Sequence, residues 1–297
     1  MIPVELILIL ISPVFFLFIA FEWYQSERRQ TGWYQWRDSL ANVVLAAMHQ
    51  FGDALSLLLL LPILNWLSQF ALWQLPFSLS NLLWLFLLQD FLYYWFHRAS
   101  HQCRWLWASH VVHHSSTLMN FSTAFRQSLT YPLSGMWLFW TPLVLVGFAV
   151  ELVLAVVAIN LAFQFFVHTR WGQHWGWLGL IVNTPSWHRV HHARNPQYID
   201  KNYAGVLVIW DRLFGTFEAE HADIRCEYGI TEDFSSVNPL TITFYEWRRI
   251  WHDLRHSDRP WWQLLFGAPK AAAANDLRPQ RQSQTAGVGQ GQDAHHD

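Results

Sequence analysis

Three short blocks of histidine carry the chemistry of this sequence. They read H-R-A-S-H at 97–101, H-V-V-H-H at 110–114 and H-R-V-H-H at 188–192, with a lone His168 between. On a helix, residues three and four apart share a face. His97 and His101 therefore form one imidazole patch, His110, His113 and His114 a second, and His188, His191 and His192 a third. Imidazole is the commonest side-chain ligand of transition metals. The chain has 16 histidines, but abundance alone does not set eight of them at this spacing. Eight imidazoles exceed the capacity of one ion, since zinc takes four ligands and octahedral metals six. They predict two metals, each with four or five nitrogens and an open position. His168, directly below an apolar run, is a ninth candidate ligand, and His174 is left open. His221, His252 and His256 lack the spacing and read as solvated.

Imidazole suits iron, zinc, copper and nickel alike, so the ligands leave the metal open. Asp90, two helical turns before His97, Gln164, one turn before His168, and Asn202 in the N-Y-A-G segment are candidates to orient a ligand imidazole. His49 and Asp53, four apart, read as a structural pair.

The elements that must position these residues are apolar helices. The chain is 53% hydrophobic, 17% aromatic and 13% charged, with 20 tryptophans. Soluble domains carry roughly 25% charged residues, and tryptophan favours the lipid–water boundary. A net charge of −2 gives no electrostatic case for nucleic acid. Cys103 and Cys226 make neither a disulfide framework nor a zinc-ribbon pattern. Apolar runs at 4–21, about 40–66 and about 79–96 each suffice to cross a hydrocarbon core of about 30 Å. The first reads as a retained helix, because no basic segment precedes it and no A-x-A site follows.

A 35-residue apolar stretch from 133 to 167 is too long for one span of about 20 residues. It reads as a hairpin of 133–147 and 150–167. The expected fold is an all-α integral membrane protein of four to five embedded helices with a cytoplasmic helical cap carrying the boxes. Its parts are N-terminal spans at 1–96, the histidine-box region at 97–267 and a disordered tail at 268–297. Arginine and lysine gather in 22–38, 97–131 and after 168, and are missing from 67–78 and 147–151. That bias puts every box on one side, the cytoplasm.

The three boxes, with N-T-P-S-W-H-R-V-H-H-A-R-N-P-Q-Y-I-D-K-N-Y-A-G-V-L-V-I-W-D-R-L-F-G-T-F, resemble the membrane fatty acid hydroxylase/sterol desaturase superfamily, particularly its bacterial members. The resemblance covers about 79–230. It implies a non-haem centre of two irons held by the box histidines, with zinc possible in a purified form. It further implies dioxygen activation and hydroxylation or desaturation of a C–H bond in a fatty acyl, sterol or related lipid. A separate reductase, of ferredoxin or cytochrome type, would supply electrons, and a bacterial member would sit in the inner membrane. Ala204 departs from the pattern, which has glycine before Gly205. Residues 268–297 are too short and polar for a fused cytochrome domain. Tyr93, Tyr94, Trp95, Phe96, Phe163, Phe165 and Phe166 are candidates to line a lipid cleft or to form a lipid-facing belt.

Two other function classes compete. A metal-dependent membrane hydrolase or lyase would use the same boxes with metal-bound water as nucleophile. A metal transporter would spread its histidines through the bilayer, whereas nearly all of these lie past the helix ends. Zinc holding a cap together without catalysis is a further structural alternative.

Overall fold

The computed structural model describes residues 4–172 and 175–269, with side chains from Ser12 onward. His174 and the polar tail from 270 lie outside the described residues. All regular structure among those residues is helical. Two isolated antiparallel bridges, Val182 with Leu207 and Ala193 with Tyr228, pin loops together.

Three long helices come first: α1 (Val4–Arg28), α2 (Trp36–Leu67) and α3 (Leu79–Gln102). At 1.5 Å per residue the 32 residues of α2 run about 48 Å. With the 3₁₀ turn that follows it, α2 is the helix long and apolar enough to cross a membrane among the described residues. Helix α3 begins where the Ser78 hydroxyl accepts from the Asn81 N–H at 3.2 Å, a side-chain cap for an otherwise orphaned donor. It runs through the first histidine block, and α4 (Arg104–His114) follows after the single residue Cys103.

The expected hairpin is only half a hairpin. Its second arm is α7 (Val150–Phe165), but its first arm is broken into α5 (Tyr131–Ser134), a 3₁₀ turn and α6 (Thr141–Val146). Gly135 sits at φ +85° and ends α5, and Pro142 opens α6, where its missing N–H costs nothing. The 16 residues of α7 span about 24 Å, less than a hydrocarbon core of about 30 Å. Val150, Val153, Val156 and Val157 of α7 pack with Leu85, Tyr93 and Phe96 of α3, and with Leu143 and Val144 of α6, in the main core.

The charge-poor loops meet at one end of the bundle. Leu72 N–H donates to Leu145 O at 2.8 Å and Leu75 N–H to Gly147 O at 3.2 Å. The charge-rich segments meet at the other end. The buried Glu22 carboxylate accepts from Tyr34 Oη at 2.6 Å, from Phe121 N–H at 2.8 Å and from Thr169 Oγ1. That ties α1 to the residue beside His168. At the same end lie α8 (Pro185–His192), α9 (Ile209–Leu213), α10 (Pro239–Thr243), α11 (Tyr245–His256) and α12 (Trp261–Phe266). Arg104 of α4 reaches Glu246 and Asp253 of α11 at 2.6 and 2.8 Å.

Gly205 marks the closest approach of a loop to the bundle. A Cβ there would stand 2.6 Å from Asn160 Oδ1 and 2.8 Å from the Tyr93 ring, both buried side chains. Gly205→Ala is expected to cost about 1–3 kcal/mol, read as a fall of several degrees in melting temperature. An unchanged melting temperature would mean that this packing is loose.

Candidate metal centre

Helix geometry divides the histidines into two groups. His97 and His101 of α3, His110 and His114 of α4 and His191 of α8 make a group of five. His113 of α4, His168 after α7, and His188 and His192 of α8 make a group of four. Within each group the ligand atoms lie within 4.8 Å of one another. The eight histidines singled out by spacing, and His168 with them, therefore all fall into these two groups. The H-x2-H-H blocks are not single patches, however, because consecutive helical residues point about 100° apart. His113 and His114 accordingly face different groups, as do His191 and His192.

The rings are held from outside and bare within. Nδ1 of His97 bonds Tyr203 O at 2.8 Å, that of His113 bonds Arg126 O at 3.1 Å, that of His168 bonds Gln164 O at 2.6 Å and that of His191 bonds Lys201 O at 3.0 Å. A carbonyl only accepts, so each Nδ1 carries the proton and each Nε2 keeps a lone pair. His113 and His168 nonetheless face each other Nε2 to Nε2 at 3.0 Å. Two buried lone pairs at that separation repel unless a cation lies against both. Nε2 of His101 is buried beside this array without a hydrogen-bond partner. Orphaned nitrogen donors converging in pairs are what a metal ion satisfies, so the residues present fit metal.

Burial holds the imidazoles of α4 and α8 in the neutral, metal-binding form. His113 is pushed down to about 4, by burial first, against the Arg126 carbonyl that favours its charged form. His191 is pushed down to about 3, again by burial first. His110, His114, His168, His188 and His192 fall well below the ordinary value for the same leading reason.

Of the three expected orienting partners, Gln164 does hold His168, through its backbone, whereas the Asp90 and Asn202 side chains bond elsewhere. Asp90 touches no histidine: its carboxylate accepts from Val206 N–H, Leu207 N–H, Trp210 Nε1 and Asn160 Nδ2 at 2.9–3.0 Å. Gln164 holds His168 through its backbone carbonyl, while its side chain bonds Tyr93 Oη and Asn160. The Asn202 side chain bonds Trp187 O and the backbone of Glu218, and the carbonyls on either side of it hold His191 and His97. Spacing missed these carbonyls, which no side-chain pattern announces. It also missed the Tyr131 hydroxyl, 2.7 Å from His110 Nδ1, and Asp211, whose carboxylate accepts from Tyr203 and Ala204 N–H. Burial pushes Asp211 up to about 6. His49 and Asp53 pair at 3.3 Å and belong to neither group.

A small open cleft reaches both groups. Its floor is His101, His114, His191 and His192, and its walls include Trp107, Ile199, Asp200, Ile230 and Thr231. The aromatic residues expected to line a lipid cleft do not line this one. Tyr93 and Phe96 are core, Tyr94 bonds Thr216, and Phe165 stacks on Phe121.

Comparison with known proteins places this region. Residues 82–216 match the fatty acid hydroxylase family. That stretch holds all nine histidines and the loop behind them. The chain is 47% identical over 193 residues to an alkylglycerol monooxygenase of Danio rerio and 45% identical to that of Homo sapiens. Each match covers 62% of this chain and 42% of the relative. It is 31% identical over 170 residues to an ornithine lipid hydroxylase of Rhizobium tropici, covering 57% of this chain and 51% of the relative. The likeness is thus not confined to bacterial members, and the chain spans less than half the length of the animal relatives it matches. No solved structure matches.

The buried neutral imidazoles set an acid limit. In the unfolded chain they take up protons below about 6.5, whereas His113 and His191 refuse them until about 4 and 3. Stability is therefore full above that range and is lost as pH falls. Asp211 acts in the opposite sense, but those two histidines alone outweigh it. The melting temperature of the metal-free chain in detergent is expected to hold above pH 7 and fall steadily from about pH 6.5 to 4. A melting temperature that rises on acidification would contradict this.

Proposed function

We propose that the chain is an oxygen-dependent lipid hydroxylase whose nine histidines hold two iron ions. The observation that carries this reading is the pair of histidine groups inside a region matching the fatty acid hydroxylase family. Neighbouring ligand nitrogens stand 2.9–3.1 Å apart. Right-angled ligation at about 2.1 Å separates nitrogens by about 3.0 Å, whereas tetrahedral zinc at the same bond length separates them by about 3.4 Å. Five nitrogens in one group also exceed zinc's four. Both points argue against zinc, and the match to the fatty acid hydroxylase family is what favours iron among the rest.

Bound there, the ions would supply dioxygen reduction and C–H oxidation. The chain's own residues do the rest. The histidines remain neutral ligands rather than proton carriers, the Nδ1 protons of His97, His113, His168 and His191 being committed to carbonyls. Trp107, Ile199 and Ile230 give the cleft apolar walls that keep water from the reacting carbon. Asp200, Thr231 and Arg194, which also line it, offer polar contacts for a lipid headgroup.

The relatives' names indicate oxygenation of a lipid rather than desaturation, with an alkylglycerol the first substrate to try. In this reading the long helices embed in the membrane, four to five in all, and the charge-rich end with the boxes faces the cytoplasm. A separate reductase of ferredoxin or cytochrome type delivers electrons there. In a bacterium the membrane would be the inner one.

Purified full-length chain, reloaded with iron and given reductant and an alkylglycerol, is expected to consume oxygen and yield an oxygenated product detectable by mass spectrometry. His113→Ala is expected to keep wild-type helix content while losing at least about 100-fold in rate and part of its metal. Two equivalents of zinc, with turnover indifferent to oxygen and reductant, would point instead to a metal-dependent hydrolase or lyase.

A further inference from the structure

The segment between α8 and α9 holds two of the histidines by its backbone, and two buried carboxylates hold that segment. Lys201 O accepts from His191 Nδ1 and Tyr203 O from His97 Nδ1. Asn202 between them sits at φ +56°. That is a left-handed conformation which asparagine tolerates better than most residues, and it lets carbonyls two residues apart serve ligands from different helices. The turn is not self-supporting. Asp211 accepts from Tyr203 N–H at 2.7 Å, Ala204 N–H at 2.8 Å and Thr216 Oγ1 at 2.7 Å. Asp90 accepts from Val206 N–H, Leu207 N–H and Trp210 Nε1, two, three and six residues beyond Ala204. Both carboxylates are fully buried, and neither forms an ion pair among the described residues, so backbone and side-chain donors alone balance their charge. Burying such a group is costly, and here four of the seven bonds to the two carboxylates come from the backbone of 203–207, the others from Asn160, Trp210 and Thr216.

We propose that Asp211, with Asp90 behind it, is a positioning residue for one metal position only. It fixes the 201–204 backbone so that His97 and His191 present bare Nε2 atoms to the five-histidine group. The inference rests on the reading that the histidines hold two ions. The four-histidine group takes its outward bonds elsewhere, His113 on Arg126 O and His168 on Gln164 O. Disturbing Asp211 therefore acts selectively on the group of five.

The test is metal content by mass spectrometry of the purified full-length chain, iron-loaded, across a chelator series. Asp211→Asn keeps the size of the side chain but replaces one acceptor oxygen with an amide that faces N–H donors. It is expected to bind the ion at the five-histidine group about 10–100-fold more weakly, so that one ion is stripped at a chelator concentration where wild type keeps two. Adding His168→Ala to that variant should then leave none, whereas His168→Ala alone keeps one. Thr216→Val removes one donor to Asp211 and leaves both backbone bonds. It serves as the milder variant should Asp211→Asn fail to fold, and is expected to weaken the same ion several-fold. Wild-type chelator resistance in these variants overturns the assignment. So does equal loss from both groups in a variant that keeps wild-type helix content. A wild-type chain that binds fewer than two ions sinks the metal reading itself, and this assignment with it.

Discussion

The structure turns on an opposition of lone pairs. Four of the nine imidazoles give their Nδ1 protons to backbone carbonyls that cannot return them, and two of the four, His113 and His168, face each other with Nε2 electron pairs 3.0 Å apart. Burial forbids the alternative of protonating the rings. Removing water also removes any solvent that could stand between them. The array is therefore under electrostatic tension that a cation relieves, and its walls are built to keep it so. The carbonyls come from α7, from the 126 loop and from the 201–203 turn, each fixed by separate bonds.

That arrangement explains why so many polar groups are buried near the helix ends. Arg126, whose carbonyl holds His113, is itself fully buried and bonds Asp38, Asn42 and Ser115. Through it the ligand array is tied to the start of α2. Asp90, Asn160, Gln164 and Tyr93 form a second chain between α3 and α7. A fully satisfied buried network rigidifies what it touches, and both of these end on backbone that supports a ligand. The polar interior is thus a consequence of having to aim rings.

Much of the site was legible in the sequence because helical periodicity is a side-chain property. The spacing in H-V-V-H-H and H-R-V-H-H fixed which residues could meet, and the four-or-five division followed from counting nitrogens. The split of each block between two groups was legible too, had the 100° step between neighbours been followed. What escaped was backbone. Nothing in N-Y-A-G states that Lys201 and Tyr203 carbonyls will point at imidazoles, and Asp90 looked like a ligand's partner because only its distance along the helix was visible. The broken arm at 131–146 escaped because apolar composition says nothing of continuity, although Gly135 and Pro142 were there to be read as breaks.

The most direct measurement of the central claim is iron-edge X-ray absorption on the purified, iron-loaded chain, with metal and protein quantified on the same sample. The account predicts about two irons per chain, each surrounded mainly by imidazole nitrogen, four to five per ion as the two groups provide. One iron per chain, or a coordination shell dominated by sulfur or carboxylate oxygen, would contradict it.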